Sequence, residues 1–180
     1  MSQIKRFLGR AAIFSLLLAL VPLSIATANG VTVRIDAPDG GMDAGTHFVA
    51  RVNITEVTDI DSFQFNITYD PTVIEVSDVS AGLIDSTLVP IAMWAFIPSG
   101  TQGTIRVLGN LAGVSGVTGS GYLAEIHFYA IGSDGSTSDL TFSGEKLFDN
   151  MGVGIVVTEW LGDSVHVSGV ASQPVIASSP

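Results

Sequence analysis

The sequence predicts an all-β fold, an antiparallel β-sandwich or jelly roll of about nine short strands. In most segments after residue 30, apolar side chains alternate with polar ones, which is the period of a strand with one buried face. Clusters of Gly, Asp, Asn and Ser separate these segments. No window in this part of the chain has a sustained helical period, so helical and α/β classes are excluded.

The composition excludes further classes. The chain has 180 residues, enough for one domain, and no cysteine, which excludes a disulfide framework and a Cys-based metal site. Its formal net charge is -10, whereas binding to nucleic-acid phosphates requires clustered Lys and Arg. We therefore expect no nucleic-acid partner.

The N-terminus, residues 1–28, is predicted to be a signal peptide. An apolar run, "AAIFSLLLALVPLSIA", is followed by the small residues "ATA" that a signal peptidase requires. The positive residues before the run are Lys5, Arg6 and Arg10. The run is short for a transmembrane helix and contains Pro22. We expect cleavage after Ala28 and a secreted, extracellular or cell-surface protein; only an uncleaved leader would place the chain in a membrane.

Three alternating segments make up the first half of the predicted domain, which spans 29–168. "VTVRID" (31–36) and "THFVARVNITEV" (46–57) flank a turn rich in Gly and Asp. "FQFNITYDPTVIEV" (63–76) alternates, turns at an Asp-Pro corner and alternates again. The residues predicted to face the core are Val31, Val33, Ile35, Phe48, Ala50, Val52, Ile54, Phe63, Phe65, Ile67, Tyr69, Ile74 and Val76.

The second half of the domain is predicted to contain a hairpin and further strands. Residues 80–92 are interpreted as a loop, and 93–111 as a hairpin that turns at "PSGTQG". The glycine-rich stretch 113–121 is interpreted as a flexible connection, and 169–180 as a Pro/Ser-rich linker or tail. Further strands are predicted in 122–132, 140–144, 153–160 and 163–169. The residues predicted to face the core are Trp94, Phe96, Ile105, Val107, Ala124, Ile126, Phe128 and Ala130.

Signals for catalysis are weak in the sequence. It has no Gly-x-Ser-x-Gly nucleophile elbow and no phosphate-binding loop. The three histidines stand singly in different predicted strands, where a lone histidine is usually an outward-facing residue. They are His47, His127 and His166. A glycosidase requires two carboxylates at a set separation, and nothing assigns such a partner to Glu75. We predict that the protein is not an enzyme and has no catalytic residue.

Two further polar patterns are weak. Asp36, Asp39 and Asp43 lie close together, but they lack the spacing and the distal Glu of an EF-hand calcium loop. We therefore predict no metal site and no cofactor on this chain. Asn53 and Asn66 each begin an Asn-x-Thr sequon, which matters only in a host that glycosylates secreted proteins.

The order of four motifs resembles that of the cohesin domain. "FQFNITYDPTVIEV" (63–76) is similar to the cohesin strand that ends in Tyr-Asp-Pro and leads into a second strand. "GTIRVLGNLAG" (103–113) resembles the Gly-x-Ile strand, and "GSGYLAEIHFYAIG" (119–132) the Gly-x-Leu-Ala-x-Ile-x-Phe strand. "LTFSGEKLFDNMG" (140–152) is similar to the segment before the last strand. Together the motifs cover the chain from residue 31 to about 168.

The resemblance implies a nine-stranded antiparallel β-sandwich with jelly-roll topology that binds dockerin modules and does no catalysis. Dockerins are small, calcium-loaded helical modules borne on partner proteins, so the resemblance implies calcium on the dockerin and not on this chain. The resemblance assigns partner binding to outward residues of one sheet, which alternate with core residues. These residues are Ser62, Gln64, Asn66, Thr68, Ala95, Ile97, Arg106, Leu108 and Asn110, with Leu111 just beyond. The chain departs from many cohesins, which have an acidic or Asn residue at Ser62 and Gln64, and this leaves the dockerin type open.

Two other functions stay open at this point. A carbohydrate-binding module can have the same sandwich fold and holds polysaccharide on exposed aromatic rings. The candidate rings are Trp94, Phe96, Tyr122, Tyr129 and Trp160. Alternation places Trp94 and Phe96 in the core, which argues against a ring platform, whereas Tyr129 and Trp160 are free to be exposed. A structural or adhesive module of a cell-surface protein is the third possibility.

Overall fold

The computed structural model describes residues 30–111 and 115–169. Within these ranges the protein has eleven β-strands and no helix. The strands are β1 (Val31–Asp36), β2 (Gly41–Asp43), β3 (His47–Thr68), β4 (Ile74–Ile84), β5 (Thr87–Val89), β6 (Ile91–Phe96), β7 (Thr104–Asn110), β8 (Val117–Ala130), β9 (Thr137–Asp149), β10 (Val157–Leu161) and β11 (Asp163–Ser168).

Both predicted terminal segments fall largely outside these ranges. The predicted signal peptide (1–28) and all but the first residue of the predicted tail (169–180) lie outside the described residues. In the described part of the chain, no helix has the length and apolar character needed to span a membrane.

Strand β3 belongs to both layers of the sandwich. Its first part pairs with β1 and β8. Its last part, from Ser62 to Thr68, pairs with β7 and β9. The first layer has the order β10-β1-β3-β8-β4-β5, and the second has the order β6-β7-β3-β9-β11-β2. Because β3 is shared, the two layers form one continuous, curled sheet. The predicted all-β sandwich with jelly-roll topology is confirmed.

The strand count differs from the prediction for local reasons. The two segments that were read as separate strands around residues 46–57 and 63–68 form the single strand β3, whose register shifts near Val57 and Ile60. Conversely, Gly41–Asp43 in the predicted turn pairs with β11 as the short strand β2. Part of the glycine-rich stretch 113–121 also forms strand, because β8 begins at Val117.

The interpretation of residues 80–92 as a loop is wrong. Strand β4 continues to Ile84, β5 lies within this stretch, and β6 begins in it at Ile91. A register shift between Val76 and Asp78 interrupts the alternation of β4, which concealed the strand. At Gly82 a Cβ atom would lie 2.3 Å from the carbonyl oxygen of Tyr122, so a glycine is needed where β4 approaches β8.

The inward side chains of the two layers form one hydrophobic core. Phe128 of the first layer stacks on Phe48, with ring centroids 5.3 Å apart. Tyr69, at the end of β3, meets the ring of Phe128 edge-on at 5.8 Å. Burial of one such side chain contributes about 1.5–3 kcal/mol to folding. Every residue predicted to face the core is buried, except Val31, Trp94 and Phe96, which are half-buried and pack against it.

The Asp-Pro corner after β3 is held by the side chain of Asp70. The Thr72 hydroxyl donates to Oδ1 of Asp70 at 2.7 Å, and the Thr72 amide donates to the same oxygen at 2.8 Å. These two hydrogen bonds hold the pKa of Asp70 below its usual value of 3.8. The Asp70 amide in turn donates to Oγ of the buried Ser138 at 2.9 Å. The corner therefore ties β3 to β9, as well as turning the chain into β4.

Candidate binding face

The solvent side of the second layer is the candidate site, and we call it the outer face. It consists of the outward positions of β6, β7, the last part of β3, and β9. Because the alternate residues point into the core, outward residues lie opposite one another across each ladder. The outward residues are Met93, Ala95, Ile97, Thr104, Arg106, Leu108, Asn110, Ser62, Gln64, Asn66, Thr68, Thr141, Ser143, Lys146 and Phe148.

Hydrogen bonds between side chains cross the middle of the outer face. Nε of Arg106 donates to Oδ1 of Asn66 at 2.9 Å, and Nδ2 of Asn66 donates to Oγ of Ser143 at 3.3 Å. Nε2 of Gln64 donates to the carbonyl oxygen of Gly144 at 3.0 Å. These bonds connect β7, β3 and β9. They restrict the rotamers of these side chains before a partner binds, so that less side-chain entropy is lost on binding.

An apolar strip runs along the β6 side of the outer face. Leu108 lies opposite Met93, whose exposed fraction is 51%. Ala95 and the exposed Ile97 continue the strip along β6. Leu108 also borders a shallow depression of about 380 Å³ whose far side is lined by Phe148. Protein interfaces combine apolar contact residues with polar groups that form hydrogen bonds, and the outer face presents both side by side.

The outer face rests on rigid packing beneath it. A Cβ atom on Gly109 of β7 would lie 2.0 Å from Cε1 of Phe63 on β3, so the ring packs directly against the glycine backbone. Phe63 also stacks on Phe65, with ring centroids 5.6 Å apart. The positions of the outward side chains on β3 and β7 are therefore set by the core.

The structure brings the residues that the resemblance assigned to partner binding onto this one face, with one exception. Ser62, Gln64, Asn66 and Thr68 lie along β3, opposite Asn110, Leu108, Arg106 and Thr104 of β7. Ala95 lies opposite Arg106 from the other side.

Leu111 is the exception, and its assignment to the surface is wrong. Its exposed fraction is 1%, and it belongs to the core. Strand β7 ends at Asn110, and the Leu111 amide donates to the carbonyl oxygen of Asp61 at 2.8 Å. Because Asn110 is outward, alternation places the next residue inward.

Sequence reasoning missed the contribution of β9 to the outer face. Thr141, Ser143, Lys146 and Phe148 lie opposite outward residues of β3. The alternation of "LTF" was a usable signal for Thr141 and Ser143. Lys146 and Phe148 were hidden because a bulge at Gly144, with φ of 65°, shifts the register of the strand. Met93 was also missed, although it lies two residues before Ala95 and therefore projects to the same side of β6.

The aromatic rings proposed for carbohydrate binding do not form a platform among the described residues. Trp94 and Phe96 lie opposite the core residues Val107 and Ile105, and both are half-buried. Trp160 packs edge-on against Phe142, with ring centroids 5.0 Å apart. The remaining rings lie on the first layer. There the ring centroids of Tyr129 and His47 are 4.7 Å apart. Cζ of Arg51 lies 4.9 Å from the centroid of the Tyr122 ring.

The histidines lie apart, each with a neighbour of its own. His127 contacts Oγ of Ser80 at 2.8 Å, and His166 contacts Oγ1 of Thr137 at 3.0 Å. In residues 30–111 and 115–169, no group of three or more His, Asp or Glu side chains is placed to hold a metal ion.

The two layers are antiparallel except at one edge of each, where β10 pairs with β1 and β2 pairs with β11 in parallel. Two such layers that share one long strand, with a mixed apolar and polar outer face, define a jelly-roll β-sandwich. The chain belongs to the cohesin family, because the family model of the cohesin domain matches residues 31–167. A search of curated proteins gave no match.

Solved structures of cohesins have the same fold. A non-cellulosomal cohesin from the archaeon Archaeoglobus fulgidus is 18% identical, with a TM-score of 0.61 over 77% of this chain and 91% of that chain. The sixth cohesin of scaffoldin B from Acetivibrio cellulolyticus, solved in complex with a Cel5 dockerin, is 20% identical, with a TM-score of 0.62 over 77% and 99%. A type I cohesin–dockerin complex from Clostridium thermocellum matches at 18% identity and a TM-score of 0.59 over 78% and 94%.

Proposed function

We propose that the outer face binds dockerin modules and thereby assembles extracellular proteins. The observation that carries this proposal is the arrangement of the residues that the cohesin resemblance assigned to partner contact. Apart from Leu111, they occupy one continuous face, with the apolar strip of Met93 and Leu108 beside hydrogen-bonded polar groups. Such a face suits protein recognition, in which apolar anchors supply most of the affinity and the polar groups set the register.

Membership of the cohesin family and the complexes of its relatives support this function. The Acetivibrio cellulolyticus and Clostridium thermocellum relatives were solved with dockerins bound. Cohesins act by assembly and not by catalysis, so the protein is proposed to be a non-catalytic module. Calcium belongs to the dockerin in this proposal, and no cofactor is assigned to this chain.

The site of action is proposed to be outside the cell. The signal-peptide pattern of residues 1–28 supports secretion with cleavage after Ala28. Polysaccharide is not proposed as the ligand, because Trp94 and Trp160 pack against the core instead of forming an exposed pair.

Calorimetric titration tests the proposal. The protein is purified from culture medium, its intact mass is checked for an N-terminus at Asn29, and it is titrated with dockerin modules encoded in the same genome. We expect saturable binding of at least one dockerin in calcium and none after chelation, because calcium maintains the dockerin fold. Absence of binding to every dockerin in calcium contradicts the proposed function.

A further inference from the structure

The charge distribution distinguishes the two layers of the sandwich. The chain has 17 Asp and Glu against seven Lys and Arg, so cations are scarce. Two of them are neutralised on the first layer. Arg34 pairs with Asp36 at 3.2 Å, and Arg51 pairs with Glu125 at 2.8 Å. The Glu125 carboxylate also raises the pKa of Arg51.

The two other cations of the described residues, Arg106 and Lys146, both lie on the outer face. Neither forms an ion pair with an acidic side chain in the described part of the chain. Arg106 lies opposite Asn66, and Lys146 lies opposite Gln64, so the two cations flank β3 diagonally. Two strand spacings and a two-residue rise place their Cα atoms roughly 12 Å apart.

The outer face carries one carboxylate, Asp139, which lies on the outward side of β9 beyond Thr141, at the end of the strand away from Lys146. The outward positions that β3 pairs with β7 and β9, or β7 with β6, carry none. The other acidic residues near the face in these strands are Asp61, Glu145 and Asp149. Asp149 uses its carboxylate to cap a loop, accepting from the amides of Met151 at 2.9 Å and Val153 at 2.8 Å. Glu145 lies in the bulge beside Lys146 without forming an ion pair with it.

We infer that the dockerin bound by this face presents carboxylates that pair with Arg106 and Lys146 on either side of β3. This inference rests on the proposed function. A partner that covered these cations without supplying acceptors would leave charges buried and unpaired, which opposes binding. One Arg106 donor is already bonded to Asn66, which fixes the guanidinium and leaves its planar end to bind a carboxylate with two parallel bonds.

The net charge of the chain acts in the opposite direction at long range. With a formal charge of -10, the chain as a whole repels an acidic partner, and salt screens this repulsion at separations beyond the Debye length, which is about 8 Å at physiological salt. Added salt therefore weakens both the overall repulsion and the local attraction between the two cations and the carboxylates of the partner. Single charge substitutions on the outer face separate the two effects, because each one changes the local charge and leaves the rest of the chain unchanged.

The test begins with a displayed library of the dockerin modules encoded in the same genome, sorted against the full protein. The tightest binder is then titrated against variants whose melting temperatures match that of the wild type. We expect Arg106→Gln and Lys146→Gln each to weaken binding by about fivefold, and Lys146→Glu to weaken it by about tenfold or more. Glu145→Gln is expected to tighten binding by about twofold, since it removes the neighbouring carboxylate. Arg34→Gln, on the opposite layer, is the matched control and is expected to change nothing.

The outcomes separate the inference from the function on which it rests. If a dockerin binds but Arg106→Gln and Lys146→Gln leave its Kd within twofold, the inference is overturned and the proposed function stands. Tighter binding to Lys146→Glu also overturns the inference, because it indicates a basic partner. If no dockerin in the library binds, the proposed function fails and the inference fails with it.

Discussion

Asn66 shows how much a single outward side chain contributes to the outer face. Alternation with Phe65 and Ile67 identified it as an outward polar residue, and the cohesin resemblance assigned it to partner binding. In the folded protein its amide oxygen accepts from Arg106 and its amide nitrogen donates to Ser143. One side chain thus holds residues of both neighbouring strands in place, whereas a side chain bonded only to solvent orders neither strand.

Leu108 and Leu111 are three residues apart and have opposite roles, which gives a paired prediction. Leu108→Ala is expected to leave stability nearly unchanged and to weaken dockerin binding by about tenfold, because it removes the apolar anchor beside Met93. Leu111→Ala is expected to destabilise the fold by about 2–5 kcal/mol, because Leu111 is buried. Urea unfolding and calorimetric titration of both variants check this. If the Leu111→Ala protein is as stable as wild type and binds dockerin more weakly, Leu111 contacts the partner and its assignment to the core is wrong.

At the scale of the element, strand β9 shows how a bulge can conceal outward residues from a prediction based on alternation. The segment 140–144 was predicted to end at its glycine, but β9 continues to Asp149. The left-handed backbone at Gly144 inserts an extra residue, after which Lys146 and Phe148 return to the outer side. Counting by two along the sequence fails at such a point, because the bulge becomes visible only against the partner strand.

The Asp-Pro corner between β3 and β4 makes a prediction about pH. The pKa of Asp70 is lowered in the folded state by its hydrogen bonds from Thr72. Its contribution to stability is therefore present above the unfolded pKa and is lost as pH falls through the folded pKa. We expect wild type to be more stable than Asp70→Asn at pH 7, with a difference that shrinks as the pH is lowered from about 5 towards 2. Urea unfolding across this range measures it.

Thr72→Val is the matched control for the corner. This substitution removes the hydroxyl donor and keeps the hydrogen bond from the backbone amide to Asp70. The difference in stability between Thr72→Val and Asp70→Asn should therefore be smaller than that between wild type and Asp70→Asn, and it should change less with pH. A difference between wild type and Asp70→Asn that is constant over the whole range contradicts the assignment.

At the scale of the whole molecule, β3 makes the two layers one cooperative unit. The strand pairs with β1 and β8 in the first layer and with β7 and β9 in the second. Phe128 lies where the layers meet, against Phe48 from its own layer and Tyr69 from the end of β3. Loss of packing at this point is therefore expected to destabilise the second layer, which carries the outer face, as well as the first.

Phe128→Ala tests this coupling between the layers. We expect it to lower the free energy of unfolding by about 3–5 kcal/mol, because it leaves a cavity between the layers. The loss should occur in a single transition seen alike by circular dichroism and by tryptophan fluorescence. Fluorescence is measured in a Trp160→Phe background, because Trp160 lies on β10 of the first layer. The remaining tryptophan, Trp94, lies in the second layer, so its fluorescence reports on the layer in which Phe128 was not changed. His127→Ala, the neighbouring outward position on β8, is expected to cost much less, and separate transitions for the two probes would contradict the coupling.

Residue patterns predicted the fold better than they predicted the site. Strict alternation in Phe63–Thr68 and Ala124–Ala130 gave the core positions and the side of the strand that faces solvent, and the structure agrees. In β4 and β9 a register shift interrupts the alternation, and there the prediction lost the strand or its end. The error at Leu111 had a different cause, because alternation itself places that residue inward.

What the sequence determined by itself is which side of each regular strand is apolar, since successive side chains project to opposite faces whatever surrounds them. Its ordered motifs also led to the cohesin family. Only the tertiary structure decided which strands lie side by side. It placed Lys146 beside Gln64 and Arg106 beside Asn66, so that two cations stand together on the outer face of an acidic protein. Those pairings join residues distant in the chain and depend on the register and bulges of the whole sheet, which no local pattern contains.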